Sequence, residues 1–319
     1  MPPLFSVVIP TYNSGSKLVR AVQSVLAQST ADCEILVIDD GSMDGTREKL
    51  QPWLGRVQYV RQANAGAAAA RNHGISLASG KYVAFLDADD WWHSNKLERV
   101  ARAAAALPEV GLFHSQVDFV TPQGEKLWTY RSEDHGPGNY TALLQTDFVM
   151  TSSAVVRRDM FDTVGDFDTS LPPCEDWDMW IRIAREHSMH LIREPLVAYE
   201  YMAGDSLTSG TAAWIEAHDA VMNKSLQADP SLSPRQQCRV RSAVAYRKAK
   251  IYLAARDELS AIKQLSNSVS HDRLRWQAWL YLVVLRSPVI RKRLPDRLKK
   301  ALRLPESYRD QLGGGKENG

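Results

Sequence analysis

The chain has 319 residues, more than one typical domain, and its 44% hydrophobic and 24% charged residues sit close to the averages of soluble globular proteins. These values exclude disordered, collagenous and disulfide-scaffold classes, and a formal net charge of +2 provides no global field for gripping nucleic acid, so no nucleic-acid partner is expected. Cys33, Cys174 and Cys238 are widely spaced and show no CxxC or Cys/His pairing, which fits a reducing cytoplasm better than a disulfide or zinc framework.

The N-terminus turns apolar at Leu4 with no basic stretch before it and no small-residue cleavage site after it, so no signal peptide is expected. Residues 5–9 (FSVVI), 34–38 (EILVI), 57–61 (VQYVR) and 81–86 (KYVAFL) read as short strands, each followed by turn residues and a helical pattern. After the first, Leu18, Val22, Val25 and Leu26 recur at helical spacing, with Ser14 or Ser16 placed to cap the start. After the third, Gly66 to Ala78 is rich in alanine and favours helix. This alternation predicts a parallel sheet covered on both faces. From Leu112 onward the pattern is mixed, with a hairpin turn at Pro122 to Gly124 and a strand over Ser152 to Val156, so antiparallel strands join the sheet.

Residues 1–210 are therefore expected to form an α/β domain, a doubly wound mixed sheet. Beyond Thr211 the composition shifts to helix formers, which predicts a C-terminal α-helical extension over 211–304 and a disordered tail over 305–319, ending GGGKENG. The longest apolar run, Trp276 to Leu285, falls short of the roughly 20 residues that span a membrane.

In open parallel sheets ligands bind outside the carboxyl ends of the strands. The expected strands deliver Pro10-Thr11-Tyr12-Asn13, Asp39-Asp40-Gly41-Ser42, Asn64-Ala65-Gly66 and Asp87-Ala88-Asp89-Asp90 to that edge. No GxGxxG and no GxxxxGK[ST] follows a strand, which argues against a dehydrogenase and a P-loop enzyme. Asp87 and Asp89 suit a divalent cation, because two carboxylates at ~4 Å repel by about 1 kcal/mol in water and more in a cleft. Mg2+ or Mn2+ takes one or two carboxylates together with substrate phosphates. The alternative is a solvated acidic turn before a helix starting near Ser94.

Asp39 is suited to accept hydrogen bonds from a nucleobase or ribose, whereas Asp40 and Ser42 read as turn residues. Tyr12 either stacks on a base or packs locally, and Arg71 either reaches a base or phosphate or forms a surface ion pair. Asp176 opens a helix running to about His187 with Trp177, Trp180, Ile181 and Ala184 facing inward. There the helix dipole is expected to keep the carboxylate ionised and ready to accept a proton. The alternative is that Asp176 only caps the helix while Glu175 pairs with a surface arginine; Asp166 and Asp178 are expected to serve local hydrogen bonding.

The blocks SVVIPTYN (6–13), EILVIDDGSMDGT (34–46), NAGAAAARNHG (64–74), YVAFLDADD (82–90), VGDFD (164–168) and CEDWDMWIR (174–182), in that order and spacing, resemble glycosyltransferase family 2. The resemblance covers about 200 residues and implies a GT-A fold with a Rossmann-like nucleotide-binding half and an acceptor half, Mn2+ or Mg2+, and an inverting transfer in cell-surface polysaccharide or glycan synthesis. The sugar would pass from a nucleotide-diphosphate donor, UDP-sugar favoured, to a glycan or lipid-linked acceptor hydroxyl. It implies that Pro10, Thr11, Tyr12, Asp39 and Arg71 surround the donor nucleotide, that Asp87, with Ala88 beside it, meets the ribose, that Asp89 binds the metal and that Asp176 is the general base. One departure is Tyr199-Glu200-Tyr201-Met202, where the family often carries a Tyr-Arg-x-His-like segment that holds the diphosphate. The alternatives kept in view are a non-catalytic nucleotide-sugar-binding protein and a polyprenyl-phosphate glycosyltransferase. Val289 to Leu304 places seven basic residues against Asp296 alone, with Leu294, Leu298 and Leu302 in a stripe, which predicts peripheral contact with the cytoplasmic membrane face.

Overall fold

The computed structural model describes residues 2–30, 32–171, 173–201 and 211–287. Its described residues divide into two compact units: those within Met1–Asn139, Val149–Ser170 and Glu175–Met202, and those within Tyr140–Phe148, Leu171–Cys174 and Ala203–Gly319. Two short segments, 140–148 and 171–174, thus belong with the helical part, so the division is not the single cut at 210 expected from composition.

The first unit is built on one nine-stranded sheet. β1 (Phe5–Thr11), β2 (Cys33–Asp39), β3 (Gln58–Arg61) and β4 (Tyr82–Phe85) run parallel in the order β3-β2-β1-β4. Every residue of β1 and β4 is buried, as befits central strands covered on both faces, and all but Ser6 and Thr11 are apolar. The helices α1 (Gly15–Leu26), α2 (Thr46–Leu50) and α3 (Ala67–Leu77) make the crossovers. Since β2 and β3 lie on one side of β1 and β4 on the other, the winding reverses between β1 and β4. A crevice therefore opens at their carboxyl ends.

The chain then continues through β5 (Trp91–Trp92), α4 (Lys96–Ala106), β6 (Leu112–Val120), β7 (Lys126–Tyr130), α5 (Asn139–Leu143), which apart from Asn139 belongs to the second unit, β8 (Val155–Arg157), α6 (Met160–Val164), α7 (Glu175–Glu186) and β9 (Met189–Glu200). β8 is antiparallel to both β4 and β6, β9 is parallel to β6, and β5 closes the far edge against β9, so the sheet is mixed. The turn at Pro122 to Gly124 joins β6 to its antiparallel partner β7, with Gly124 at φ +87°.

Local details differ from the sequence expectation for identifiable reasons. Ser14 stands at the start of α1 without capping it; its hydroxyl donates to the Tyr12 carbonyl, and the Gly15 amide donates instead to Thr46 Oγ1 at 3.1 Å. α4 begins at Lys96, two residues beyond Ser94. Ser152 is not in a strand, because amide bonds from Ser153 to Met150 and from Ala154 to Thr151 wind residues 151–153 into a tight turn before β8. On α7, Trp177, Trp180 and Ile181 are buried as expected, whereas Ala184 is half-buried and Ile183 is fully inside.

The second unit contains α8 (Thr211–Ala228), α9 (Pro234–Ala254), α10 (Glu258–His271) and α11 (Trp276–Arg286). Ser233 and Gln236 form a reciprocal capping box at the start of α9, with Pro234 in the first turn, so the Ser-Pro punctuation marks a helix start. Ala249, Leu265, Ala278 and Leu282 form a buried core here, flanked by Tyr246, Ile262 and Leu285. α11 buries one side in that core and leaves Trp276, Trp279, Leu280 and Val283 exposed. No helix among the described residues is long and apolar enough to cross a membrane. Val289 to Leu304 and the expected tail at 305–319 lie outside the described residues, as does Met202.

Candidate active site

The edge at the ends of β1, β2 and β4 gathers most of the residues singled out by sequence. Thr11 and Asp39 are register partners on β1 and β2, and the Asp40 amide donates to the Thr11 carbonyl at 2.8 Å. Asp39 is buried, accepts the Ser42 amide at 2.8 Å and is also hydrogen-bonded by the Tyr59 hydroxyl. Asp40 is a loop brace: its carboxylate accepts the amides of Ala65 and Gly66, both at 2.8 Å, and the Gln62 side chain. Gly41, at φ +88°, makes the sharp exit from β2 that lets both aspartates do this. Next to Asp39 lies a cleft of about 350 Å³ lined by Ser42, Met43, Arg47, Tyr59 and Arg61.

The small residues of the alanine-rich segment bring α3 against the sheet. A Cβ on Gly74 would stand 2.3 Å from Val8 Cγ1, so only glycine allows this approach. Arg71 is carried to the strand ends by the same helix, and there it is buried and doubly paired, Nη2 to Asp87 Oδ1 and Nη1 to Glu175 Oε1, each at 2.8 Å. Burial alone would lower the guanidinium pKa, but Asp87 and Glu175 outweigh it and raise it, so Arg71 is firmly charged. The surface ion pair considered for Arg71, and the surface partner considered for Glu175, are thus one buried ion-pair chain. Asn72 locks the same helix to the 164–168 block through reciprocal 2.8 Å bonds with the Phe167 backbone.

α7 is seated by an aromatic cluster in which Phe85, Phe167 and Trp180 meet with ring centroids 5.3–6.2 Å apart. Arg182 binds Asp178 at 2.8 Å and the Asp166 carbonyl at 2.8 Å, so Asp178 serves local hydrogen bonding as expected, while Asp166 contributes its backbone. This sets Asp176 on the first turn of α7, half-buried, with Oδ1 accepting the Trp177 amide and Oδ2 the Thr151 hydroxyl, both at 2.7 Å. Loss of water around it, then the neighbouring Glu175 charge, pushes the Asp176 carboxyl up to about 6. The helix dipole was expected to hold it low; desolvation outweighs that effect here.

Asp87 follows β4, and its amide donates to Ser152 Oγ at 3.1 Å. Asp89 is exposed; desolvation by the protein around it, then the Asp87 charge, raises its carboxyl above the ordinary range. Asp90 is buried and structural, accepting from Ser152 Oγ and from the Glu200 amide, which ties the loop to β9. Among the described residues no set of three His, Cys, Asp or Glu side chains forms a metal cage. Asp87 and Asp89 lie near enough for the charge of the first to raise the carboxyl of the second.

Pro10 and Ala88 are buried in the backbone of this edge, and Tyr12 is half exposed beside it. Thr11 Oγ1, Arg71 Nε and Glu175 Oε2 are buried without a hydrogen-bond partner among the described residues, and such atoms call for an explanation. The departure at Glu200 has a counterpart on α1. Glu200 is buried and binds Lys17 at 3.0 Å and Arg20, and Arg20 also donates to the Asp89 carbonyl and stacks 3.7 Å over Trp91. Burial works against this carboxylate, but Arg20 and Lys17 hold it below the ordinary range. Positive charge beside Asp89 therefore comes from α1. Sequence reading missed Tyr59, Arg61, Thr151, Lys17 and Arg20, none of which stands in a recognisable spacing.

The glycosyl transferase family 2 model matches residues 6–165. An uncharacterized glycosyltransferase of Nostoc sp. is 36% identical over 192 residues, 55% of this chain and 56% of that protein. One of Rickettsia felis is 28% identical over 202 residues, 61% of this chain and 34% of the relative. A Bacillus subtilis protein provisionally named teichuronic acid biosynthesis glycosyltransferase TuaG is 45% identical over 102 residues, 30% of this chain and 40% of its own length. The chain thus spans about half of the Nostoc relative and about a third of the Rickettsia felis one. Among solved structures, S. aureus TarS 1-349 superposes with a TM-score of 0.60 at 18% identity, covering 100% of this chain and 93% of that one. TarS 1-349 in complex with UDP-GlcNAc gives 0.60 at 17% identity, covering 97% and 92%. That likeness is one of fold, the GT-A arrangement of a mixed sheet with helices.

Proposed function

Because the chain belongs to glycosyltransferase family 2, we propose that it is an inverting glycosyltransferase that moves a sugar from a UDP-linked donor to a hydroxyl of a cell-surface glycan or its lipid-linked precursor. The observation that carries this reading is the Asp87–Arg71–Glu175 chain, in which one buried arginine joins the loop after β4 to the helix that presents Asp176. Donor and acceptor chemistry need such a rigid link, since an error of an ångström in the attacking geometry costs orders of magnitude in rate.

In this reading the nucleotide lies across the ends of β1 and β2, with its base beside Asp39 and Tyr12 and its ribose at Asp87. The crystal structures of TarS with UDP and UDP-GlcNAc, and the teichuronic acid name of TuaG, support the donor and the acceptor class. Asp176 accepts the proton of the acceptor hydroxyl as its oxygen attacks the anomeric carbon; the bond to the diphosphate breaks on the opposite face, and the electron pair leaves with UDP. Mn2+ or Mg2+ held by Asp89, with Asp87 beside it, would act as a Lewis acid that neutralises the diphosphate. Lys17, partly exposed next to Asp89, supplies positive charge where the family's Arg/His segment is missing.

A thermal-shift screen tests the donor. With Mn2+ present, UDP and UDP-sugars raise Tm by the equivalent of about 2.7 kcal/mol at a hundred times Kd, and the shift disappears with EDTA. No shift with any nucleotide diphosphate would remove the donor-site reading. Binding without sugar transfer or donor hydrolysis would favour the non-catalytic alternative.

The acceptor class adds a surface. Trp276, Trp279, Leu280 and Val283 form an exposed apolar stripe on α11 between Arg275 and Arg286, and the seven basic residues of 289–304 follow in sequence. Tryptophan favours the lipid headgroup boundary, and each basic side chain near an anionic leaflet adds ~1 kcal/mol, so this part of the chain docks on the cytoplasmic membrane face. The protein is expected to sediment with vesicles containing anionic lipid at low salt and much less at high salt, and Trp276→Ser/Trp279→Ser is expected to bind several-fold more weakly. Equal, weak sedimentation of both proteins at both salt levels would refute it.

A further inference from the structure

Residues 151–153 are buried, and Thr151 and Ser152 are bonded to different parts of the site while Ser153 anchors the turn. Thr151 donates to Asp176 Oδ2 at 2.7 Å. Ser152 Oγ donates to Asp90 Oδ2 at 2.5 Å and accepts the Asp87 amide at 3.1 Å, while its carbonyl accepts Trp92 Nε1 at 2.8 Å. The Ser153 carbonyl accepts the buried Lys96 ammonium at 2.9 Å, and its hydroxyl donates to the Met150 carbonyl at 2.7 Å. We propose that this turn is the brace that sets the base against the donor loop, and that Thr151 is the positioning residue for the Asp176 carboxylate. The proposal rests on the reading of Asp176 as the base.

The choice of a hydroxyl is chemically informative. Asp176 is faced by Glu175 from its own helix and by Arg71 from α3, with Asp87 on the far side of the guanidinium. Had Arg71 paired directly with Asp176, the carboxylate would be held ionised and would be a poor base. Glu175 and Asp87 take both terminal nitrogens of the arginine instead, and Asp176 is left with two neutral donors, the Trp177 amide and the Thr151 hydroxyl. Those bonds fix the plane of the carboxylate and oppose the rise caused by desolvation and Glu175 without cancelling it. The next residue, Ser152, is pinned at Asp87 and Asp90, so a displacement of the donor loop is transmitted to the base through two consecutive residues.

The test is the titration of the Asp176 carboxyl in the full chain, followed by 13C NMR with carboxyl-labelled aspartate and identified by the signal missing from Asp176→Asn. Thr151→Val keeps the volume and Thr151→Ala avoids overpacking; both lose the hydroxyl, and both are expected to raise the midpoint by roughly one pH unit, while Thr151→Ser restores it. The acidic limb of UDP release from the nucleotide sugar giving the largest thermal shift is expected to move by the same amount. Activity then falls several-fold at pH 6.5 and recovers by pH 8.5, a pattern that general loosening of the fold would not produce. An unchanged midpoint in both the Val and the Ala variants overturns the role of Thr151 whatever Asp176 does. A raised midpoint with an unmoved rate limb overturns the assignment of Asp176 as the base, and this proposal with it.

Discussion

Asp89→Asn is expected to lower sugar transfer by about 10²–10⁴-fold and to abolish the response to added Mn2+, while the protein stays folded. The magnitude follows from the several kcal/mol that a Lewis acid contributes to a departing diphosphate, at about 1.4 kcal/mol for each factor of ten. Asp89 is exposed and its carboxyl is raised by desolvation and by Asp87, so its charge opposes the folded state at neutral pH and its removal carries no structural penalty. Replacing Asp90 in the same loop is a different matter: burial and the Asp89 and Asp87 charges raise its carboxyl well above the ordinary range, so the loss there is of its hydrogen bonds to Ser152 Oγ and the Glu200 amide rather than of its charge. The contrast separates a ligand from a brace: Asp89→Asn should melt at or above the parent temperature without metal and lose the metal-dependent stabilisation by UDP. Full activity of the parent in excess EDTA would eliminate the metal from the mechanism.

The legible part of this molecule is what local chemistry controls. β1, β2 and β4 carry unbroken apolar runs, Val7–Pro10, Ile35–Ile38 and Tyr82–Phe85, because both of their faces are covered there, and such a run ending in polar residues is visible in one dimension. Their carboxyl ends could therefore be named, and with them Thr11, Asp39, Asp87 and Asp89. Pairings across long separations were not legible. Arg71 reads as a helical arginine with an open choice of partner, and only the fold brings it to Glu175, 104 residues away. Ser152 to Val156 reads as one strand on the strength of its two valines, yet the amide bonds that close the turn at 151–153 delay β8 to Val155. That delay is what places the Thr151 hydroxyl on Asp176. Lys17 and Arg20 stand on the polar side of an amphipathic helix, where solvated charge is the default, and their partner Glu200 comes from the other end of the sheet.

Asp176→Asn is expected to reduce kcat by about 10²–10⁴-fold, the usual contribution of a positioned base, with donor affinity nearly unchanged because no donor group is assigned to it. In the parent, kcat/KM for the acceptor should fall as pH drops through about 6, where Asp176 takes up a proton and stops accepting one. The residual activity of the Asn variant should lack that limb. The same shift has a consequence for stability, and its sign is opposite to that of a salt-bridged aspartate. A carboxyl whose pKa is higher in the folded chain than in the unfolded one binds its proton more tightly when folded. Its contribution is therefore fully present below the unfolded value near 3.8 and is lost as pH rises through about 6. Above that point the ionised carboxylate burdens the fold, so Asp176→Asn should melt at a higher temperature than the parent at pH 7.5, and the difference should shrink toward pH 4. An enzyme that keeps a destabilising charge beside Glu175 retains it for the reaction, and an Asn variant that is both more active and less stable at pH 7.5 would show that Asp176 is an ordinary helix-start residue.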